Sequence, residues 1–244
     1  MSKKVITIFF LIVIVIVGGI LTFLNYNKSQ IKTAENKAGQ SLIVTDQKIT
    51  DNTKPFKISI IYPQIAGLDD FNAKSKNIVD KEINDFKKNS LENDKAVKDT
   101  DPVDYEKFPR EYTLDISYTK GEIDENVVSI IFNVSNFEGG AHGANYFVSL
   151  NYSPKDKKEI KLADLFPGQS DYLKKISDYC KTDLTKQIIE RMQSTDGTWI
   201  NDGAAPTQEN YSFFLINKDN ILFYFPQYQI APYVSGDFQV TFPR

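Results

Sequence analysis

The chain has 244 residues, with 29 Lys and Arg against 32 Asp and Glu, which gives a formal net charge of −3. Binding to the phosphates of nucleic acid needs a clustered basic face, so this composition excludes nucleic acid as the expected partner. A single His and a single Cys exclude a zinc site built mainly from those ligands, and they exclude an internal disulfide. The residues predict no cofactor.

The first predicted element is an uncharged apolar run at residues 5–24. A helix of that length spans about 30 Å, the hydrocarbon thickness of a bilayer. The run therefore predicts a transmembrane signal anchor, with a cleaved signal peptide as the alternative. Lys3 and Lys4 place residues 1–4 in the cytoplasm as a short stub, so the rest of this cell-membrane protein is expected outside. Residues 25–40 are polar and predict a tether.

Strands and one helix are expected after the tether. Residues 41–49 and 56–62 are apolar and β-branched, and the polar turn between them predicts a hairpin whose second strand ends at Pro63. Residues 70–91 show the apolar spacing of a helix. The charged stretch 92–110, with its two prolines, predicts a surface loop.

The remainder predicts more strands around a second helix. The helix begins at Ser170 or Asp171, and its apolar stripe reaches Met192 and includes Cys180, which we expect to be buried. A loop is expected at 194–210. Further strands are predicted at residues 112–118, 127–134, 146–152, 159–162, 211–216, 221–225 and 237–242. This order predicts an α+β fold with antiparallel sheets and two main helices.

The loop at residues 137–145 (FEGGAHGAN) is the first candidate for a functional site. Its three glycines allow a close approach of the backbone, and the chain's only histidine lies between them. One interpretation is that His142 and Asn145 are presented to a ligand. The other is a tight connection between strands in which His142 bonds to a nearby carbonyl. The loop also marks an expected joint near residues 136–145.

The second candidate is the aromatic and proline-rich stretch at residues 221–238. Two of its phenylalanines, Phe223 and Phe225, are expected in the core. Tyr228 and Tyr233 are candidates for the core and equally for a protein contact, because tyrosine is large, rigid and amphipathic. We predict contacts to a ligand by Tyr228, Pro232 and Tyr233, with His142 and Asn145 as a second surface.

Three stretches together resemble a bacterial extracytoplasmic domain of unknown function. They are G-G-A-H-G-x-N at 139–145, K-x-I-x-L-x-D-L-F from Lys158 to Phe166, and F-Y-F-x-x-Y-x-I-A-P-Y-x-x-G from Phe223 to Gly236. The domain is similar to the ectodomain of the anti-sigma-V factor and to the non-catalytic N-terminal part of PdaC-type peptidoglycan deacetylases. In the anti-sigma-V family, the resemblance implies direct binding of lysozyme.

The resemblance covers about residues 41–243. It implies a PdaC-like half at 41–138 and, at 139–244, a half similar to the C-terminal part of the anti-sigma-V ectodomain. It implies a binding module and not the deacetylase activity.

The sequence thus predicts a membrane-anchored extracytoplasmic binding module of the bacterial cell envelope. The expected ligand is lysozyme, another wall-acting protein, or peptidoglycan. We expect no enzyme, because no G-x-S-x-G motif accompanies His142 and no spacing of carboxylates favours glycan cleavage. The alternatives are a wall-directed hydrolase that uses His142 as base and a purely structural envelope protein.

Overall fold

A six-stranded sheet forms the first part of the fold, with its strands in chain order. The computed structural model describes residues 42–107, 110–193 and 197–244. The strands are β1 (Val44–Asp51), β2 (Phe56–Ile65), β3 (Tyr112–Ile123), β4 (Val128–Phe137), β5 (Ala144–Ser153) and β6 (Lys158–Glu159). The β1–β2 pair is the predicted hairpin. Of the neighbouring pairs, only β2 and β3 are parallel.

The parallel pair corrects the prediction of purely antiparallel sheets. Parallel neighbours need a crossover connection, and here it contains two helices, α1 (Asp69–Thr100) and α2 (Pro102–Lys107). The helix α1 packs on one face of the sheet and buries Phe71, Val79 and Phe86 there. The α+β class is confirmed, with one mixed and one antiparallel sheet.

The predicted loop at 92–110 is wrong over most of its length. The helix α1 continues to Thr100, because residues 92–100 contain mainly residues that tolerate or favour a helix. Pro102 then occupies the first position of α2, where its missing N–H costs no hydrogen bond. A charged composition alone does not distinguish an exposed helix from a loop.

Several predicted strand ends are also wrong, among them those of β2 and β6 and the start of the strand predicted at 211–216, which begins at Phe214 and not at Tyr211. The strand β2 continues past Pro63 to Ile65, because its ladder with β3 ends at Ile60 and no partner on that side requires the missing N–H. The strand β6 is shorter than the predicted 159–162. Leu162 belongs instead to a 3₁₀ turn at Leu162–Leu165.

A second, antiparallel sheet has the order β7-β8-β9. Its strands are β7 (Phe214–Ile216), β8 (Asn220–Phe225) and β9 (Phe238–Pro243), and they pack with α3 (Tyr172–Met192) and α4 (Thr198–Gly203). The helix α4 corrects the predicted loop at 194–210. Cys180 lies in this core as predicted, and burial raises the pKa of its thiol. Phe223 and Phe225 are buried as well.

The two sheets meet through a small apolar cluster and through close backbone packing. The cluster contains Ile131, Phe147, Leu215 and Tyr224. Gly121 of β3 lies directly against β7, where an added Cβ would come within 2.3 Å of the carbonyl oxygen of Ile216. Residues 42–244 accordingly form one compact unit.

The predicted joint near residues 136–145 contains the connection between β4 and β5, which are antiparallel neighbours in one sheet. The division into 41–138 and 139–244 stays a prediction about sequence halves. The predicted stub at 1–4, the anchor at 5–24 and the tether at 25–40 lie outside the described residues. Within the described ranges, no helix has both the length and the apolar character needed to cross a bilayer.

Candidate binding site

Three aromatic rings from two distant segments meet at the surface. His142 comes from the loop between β4 and β5, whereas Tyr228 and Tyr233 come from the segment between β8 and β9. The ring of His142 stacks on that of Tyr233, with centroids 4.0 Å apart and planes 27° apart. The Tyr228 centroid is 5.6 Å from Tyr233 and 6.4 Å from His142. We name these three residues the aromatic cluster.

Hydrogen bonds fix the tautomer of His142. Its Nδ1 lies 2.8 Å from the carbonyl oxygen of Gly143, which only accepts, so Nδ1 carries the proton. The Nε2 atom is then the acceptor for the Tyr228 hydroxyl at 3.4 Å. The Tyr233 hydroxyl donates to the same Gly143 carbonyl at 3.3 Å. The two sequence interpretations of this loop are therefore compatible, because His142 bonds to a nearby carbonyl and is also exposed.

Glycines determine the path of the His142 loop. Gly139 and Gly140 have φ angles of 99° and 101°, a region that other residues rarely adopt. At Gly143, an added Cβ would lie 2.5 Å from the carbonyl oxygen of Asn136. The side chain of Asn93 on α1 donates to the Glu138 carbonyl at 2.9 Å. The loop is thus held against both its own strand and a helix.

The tyrosine segment is held in an equally specific conformation. Tyr228 has a φ of 69°, a left-handed conformation that is costly for a bulky side chain, and its side chain is 52% exposed. The next side chain anchors the segment, since the amide of Gln229 donates to the carbonyl oxygens of Gly203 at 2.8 Å and Asn210 at 3.0 Å. Strain at an exposed aromatic residue is typical of functional sites.

Two further apolar residues extend the surface beside the cluster. Pro232 is exposed and Tyr233 is partly buried. Val234, in the 3₁₀ turn that contains Tyr233, is 87% exposed. Sequence reasoning missed Val234, because a single valine between polar residues carries no signal that separates an exposed position from a core position.

Asn145 is not among the described residues that hydrogen-bond to the aromatic cluster. It is exposed on β5, opposite Ser135 of β4. Its side chain lines a cleft of about 400 Å³ on the six-stranded sheet. The predicted second surface therefore divides, with His142 in the aromatic cluster and Asn145 in this cleft.

The electrostatics of the His142 loop centre on Glu138. Burial raises the pKa of its carboxyl, the nearby carboxylates of Asp85 and Glu82 raise it further, and a hydrogen bond with Asn89 opposes the shift. Glu82 in turn accepts a hydrogen bond from the Tyr146 hydroxyl. The Glu138 carboxyl, at the start of the His142 loop, is therefore harder to ionise in the folded protein than in the unfolded chain.

We expect Glu138→Gln to stabilise the protein at pH 7. A raised folded-state pKa means that the unfolded chain loses its proton first, so stability falls as pH rises from the ordinary glutamate pKa to the folded one. Glutamine removes this loss and keeps an acceptor for Asn136. Because solvent screens a partly exposed carboxyl, the melting temperature should rise by only ~1–2 °C. Thermal unfolding at pH 7 and pH 4 measures this.

The matched control for this prediction is Glu92→Gln, at an exposed position of α1. The gain from Glu138→Gln should shrink at pH 4, below the ordinary glutamate pKa, where the carboxyl of the parent is mostly protonated in both states. An equal gain at both pH values would contradict the electrostatic explanation.

The geometry around His142 suits contact better than proton transfer. In the described part of the chain, its hydrogen bonds go to Gly143 and Tyr228 and not to a carboxylate or a serine. A general base is normally oriented by such a group. Among the described residues, no group of three His, Cys, Asp or Glu side chains could hold a metal ion.

Comparisons with known proteins agree with the sequence resemblance. Residues 49–145 match the family described as "Deacetylase PdaC", and residues 163–244 match the one described as "Protein of unknown function (DUF3298)". The aromatic cluster joins the two matched regions, because His142 lies in the first and both tyrosines lie in the second. The matches confirm the resemblance to a PdaC-like extracytoplasmic domain of unknown function.

Individual relatives are distant. The chain is 26% identical to the peptidoglycan-N-acetylmuramic acid deacetylase PdaC of Bacillus subtilis, over 100% of this chain and 50% of the relative. It is 22% identical to the immunogenic protein MPT64 of Mycobacterium tuberculosis, over 56% of this chain and 59% of the relative. The chain thus spans about half the length of the curated relatives it matches.

The fold is similar to that of a solved structure. A DUF3298 family protein from Bacteroides fragilis gives a TM-score of 0.51 at 20% identity, covering 83% of this chain and 88% of that protein. This similarity concerns the fold alone.

Proposed function

We propose that this protein is an extracytoplasmic binding module of the bacterial cell envelope, and that it binds a wall-acting protein of the lysozyme class through the aromatic cluster. The observation that carries the proposal is the convergence of His142, Tyr228 and Tyr233 at one exposed place. The membrane anchor at residues 5–24 is part of the same proposal.

The composition of the surface favours a protein ligand. Binding energy at protein interfaces is concentrated in a few rigid aromatic residues near the centre of the contact. Here Tyr228 and Tyr233 have such rings, and the exposed Pro232 and Val234 lie beside them. The bonds of Gln229 and of the His142 loop hold these rings before any ligand arrives, which reduces the entropy lost on binding.

The relatives support the envelope as the place of action. The curated relative that matches all of this chain is named for its action on peptidoglycan, and that activity belongs to the relative. This chain spans half of that relative, so we propose that the two share a place at the wall and not the chemistry. The bonding of His142 does not favour the hydrolase alternative.

The test is binding of the full-length chain, in a mild detergent, to immobilised lysozyme. Tyr233→Ala should raise the Kd by ~30-fold, as expected for a central aromatic contact. Tyr228→Gly should also weaken binding, and glycine accepts the φ of 69° at that position without strain. Tyr179→Ala on α3 is the matched control, since this tyrosine is also exposed and lies outside the cluster.

Other outcomes would contradict the proposal that the ligand is a protein. Unchanged affinity in Tyr233→Ala and Tyr228→Gly, with Tyr179→Ala also unchanged, would remove the aromatic cluster from the contact. If lysozyme does not bind and purified peptidoglycan binds through the same tyrosines, the ligand of the cluster is the wall itself. Hydrolysis of peptidoglycan that depends on His142 would instead support the hydrolase.

A further inference from the structure

A polar cleft lies on the six-stranded sheet. The cleft of about 400 Å³ that contains Asn145 opens on the face opposite to α1. Its floor consists of side chains from β2 to β5, and Asp237 and Gln239 form its rim. Successive residues of a strand face opposite sides, so these floor residues alternate with the buried ones that pack under α1.

The floor contains a continuous row of short polar side chains. Across neighbouring strands, Ser59 lies opposite Asp115, Asp115 lies opposite Ser135, and Ser135 lies opposite Asn145. Neighbouring strands lie about 4.8 Å apart, so the row extends over ~14 Å. An extended ligand can therefore lie across four strands and meet a hydroxyl, carboxylate or amide at each one.

The residue types on the floor conflict with their secondary structure. Asp and Asn are depleted in strands, yet Asp115, Asn133 and Asn145 occupy the interior strands β3, β4 and β5. Places where local preference and fold disagree are expected to be functional sites. A purely solvated sheet face would be formed better by threonine and other β-branched residues.

Most of these side chains have hydrogen-bonding capacity to spare. Within the described ranges, the side chains of Ser59, Asp115, Ser135 and Asn145 make no hydrogen bond to the protein. Asn133 makes one long bond, to Thr119 at 3.4 Å. The row therefore offers donors and acceptors to a ligand without breaking internal bonds.

The charges of the cleft indicate which ligand fits. Asp115 and Asp237 line it, and no Lys, Arg or His does among the residues that the structure describes. Carboxylates repel anionic polymers and accept hydrogen bonds from hydroxyl and amide N–H groups. The floor is thus complementary to an uncharged ligand that is rich in hydroxyl and amide groups.

The cleft is close along the chain to the aromatic cluster. Asn145 follows His142 by three residues, and Asp237 follows Tyr233 by four. We propose that the cleft is a carbohydrate-binding site for a neutral, N-acetylated glycan chain. This site is distinct from the proposed protein contact and does not depend on it.

The probe for this site is the tetramer of β-1,4-linked N-acetylglucosamine, titrated into the full-length chain in detergent and followed by calorimetry. Saturable binding is expected. Asp115→Ala and Ser135→Val should each weaken it about tenfold, the effect of losing a hydrogen bond that involves a charged group or leaves a partner unpaired. Matched controls are Asp219→Ala and Thr50→Val, at exposed positions outside the cleft.

The same variants separate this proposal from the proposed function. The cleft variants should retain the parent affinity for lysozyme, whether that affinity is high or undetectable, and circular dichroism verifies their fold. No saturable binding of the tetramer, or equal binding in all four variants, would overturn the glycan site. Loss of tetramer binding in Tyr233→Ala with none in Asp115→Ala would assign the glycan to the aromatic cluster and equally overturn it.

Discussion

Replacing Gly203 with alanine is expected to lower the free energy of unfolding by about 3 kcal/mol or more, the range of severe overpacking in a core. Gly203 is buried at the end of α4. A Cβ built there lies 1.9 Å from the carbonyl oxygen of Gln229 and 2.7 Å from its carbonyl carbon. Both atoms belong to the backbone, so no side-chain rotation relieves the overlap, and either α4 or the segment at Gln229 has to move.

The same substitution should also disturb the aromatic cluster. The Gln229 side chain donates to the Gly203 carbonyl, and Gln229 follows the strained Tyr228 directly. A shift of the Gln229 backbone therefore changes the position of Tyr228 relative to His142. We expect a weaker Tyr228–His142 contact even under conditions where the variant remains folded.

Urea unfolding followed by fluorescence measures the loss of stability in Gly203→Ala. Gly197→Ala is the matched control, because Gly197 precedes the same helix and an added Cβ there has no neighbour within 4 Å. The control should change stability by less than about 1 kcal/mol. Equal stability of the two variants would show that the α4 end adapts to a methyl group.

Local patterns predicted much of the fold, and long-range pairing accounts for the errors. The β1–β2 hairpin and the long helices α1 and α3 follow from apolar spacing within each segment. The parallel pairing of β2 with β3 depends on where α1 returns the chain, and no local pattern encodes that. The extension of α1 to Thr100 was missed because an exposed helix end lacks an apolar stripe.

In the candidate site, too, local patterns indicated the residues but not how the fold brings them together. Composition singled out His142, Tyr228 and Tyr233, because a histidine between glycines and tyrosines beside prolines are locally unusual. Their meeting joins residues 86 positions apart for the His142–Tyr228 pair, and only the packing of the two sheets brings this about. Nothing in the sequence indicated the polar row in the cleft either. Its members lie on four different strands, and only the register of the sheet places them side by side.

Replacing Ser129 with alanine is the second large effect that we expect, with a loss of about 3 kcal/mol in the free energy of unfolding. Ser129 of β4 is fully buried, and its hydroxyl accepts from the Ile216 N–H at 2.7 Å and donates to Asn151 Oδ1 at 2.5 Å. Alanine leaves both of these buried groups without a partner. Each unsatisfied buried group costs about 1–3 kcal/mol.

The reason for this cost lies in the way the sheets are joined. The strand β7 is an edge of its sheet, and side chains of the other sheet bond to its backbone where a neighbouring strand would otherwise do so. Ser149 accepts from the Phe214 N–H at 2.8 Å, and Asn151 donates to the Phe214 carbonyl at 3.1 Å. Ser129, Ser149 and Asn151 thus form one polar connection between the six-stranded sheet and the β7 edge of the second sheet.

Ser135→Ala is the matched control, because Ser135 belongs to the same strand and is exposed. Denaturant unfolding should place it within about 0.5 kcal/mol of the parent, as is usual at surface positions. If Ser129→Ala also stays within about 0.5 kcal/mol of the parent, water or a backbone shift satisfies the Ile216 N–H, and the prediction is wrong. A loss confined to Ser129→Ala would show that buried hydroxyl groups, and not only the apolar cluster between the sheets, hold β7 in place.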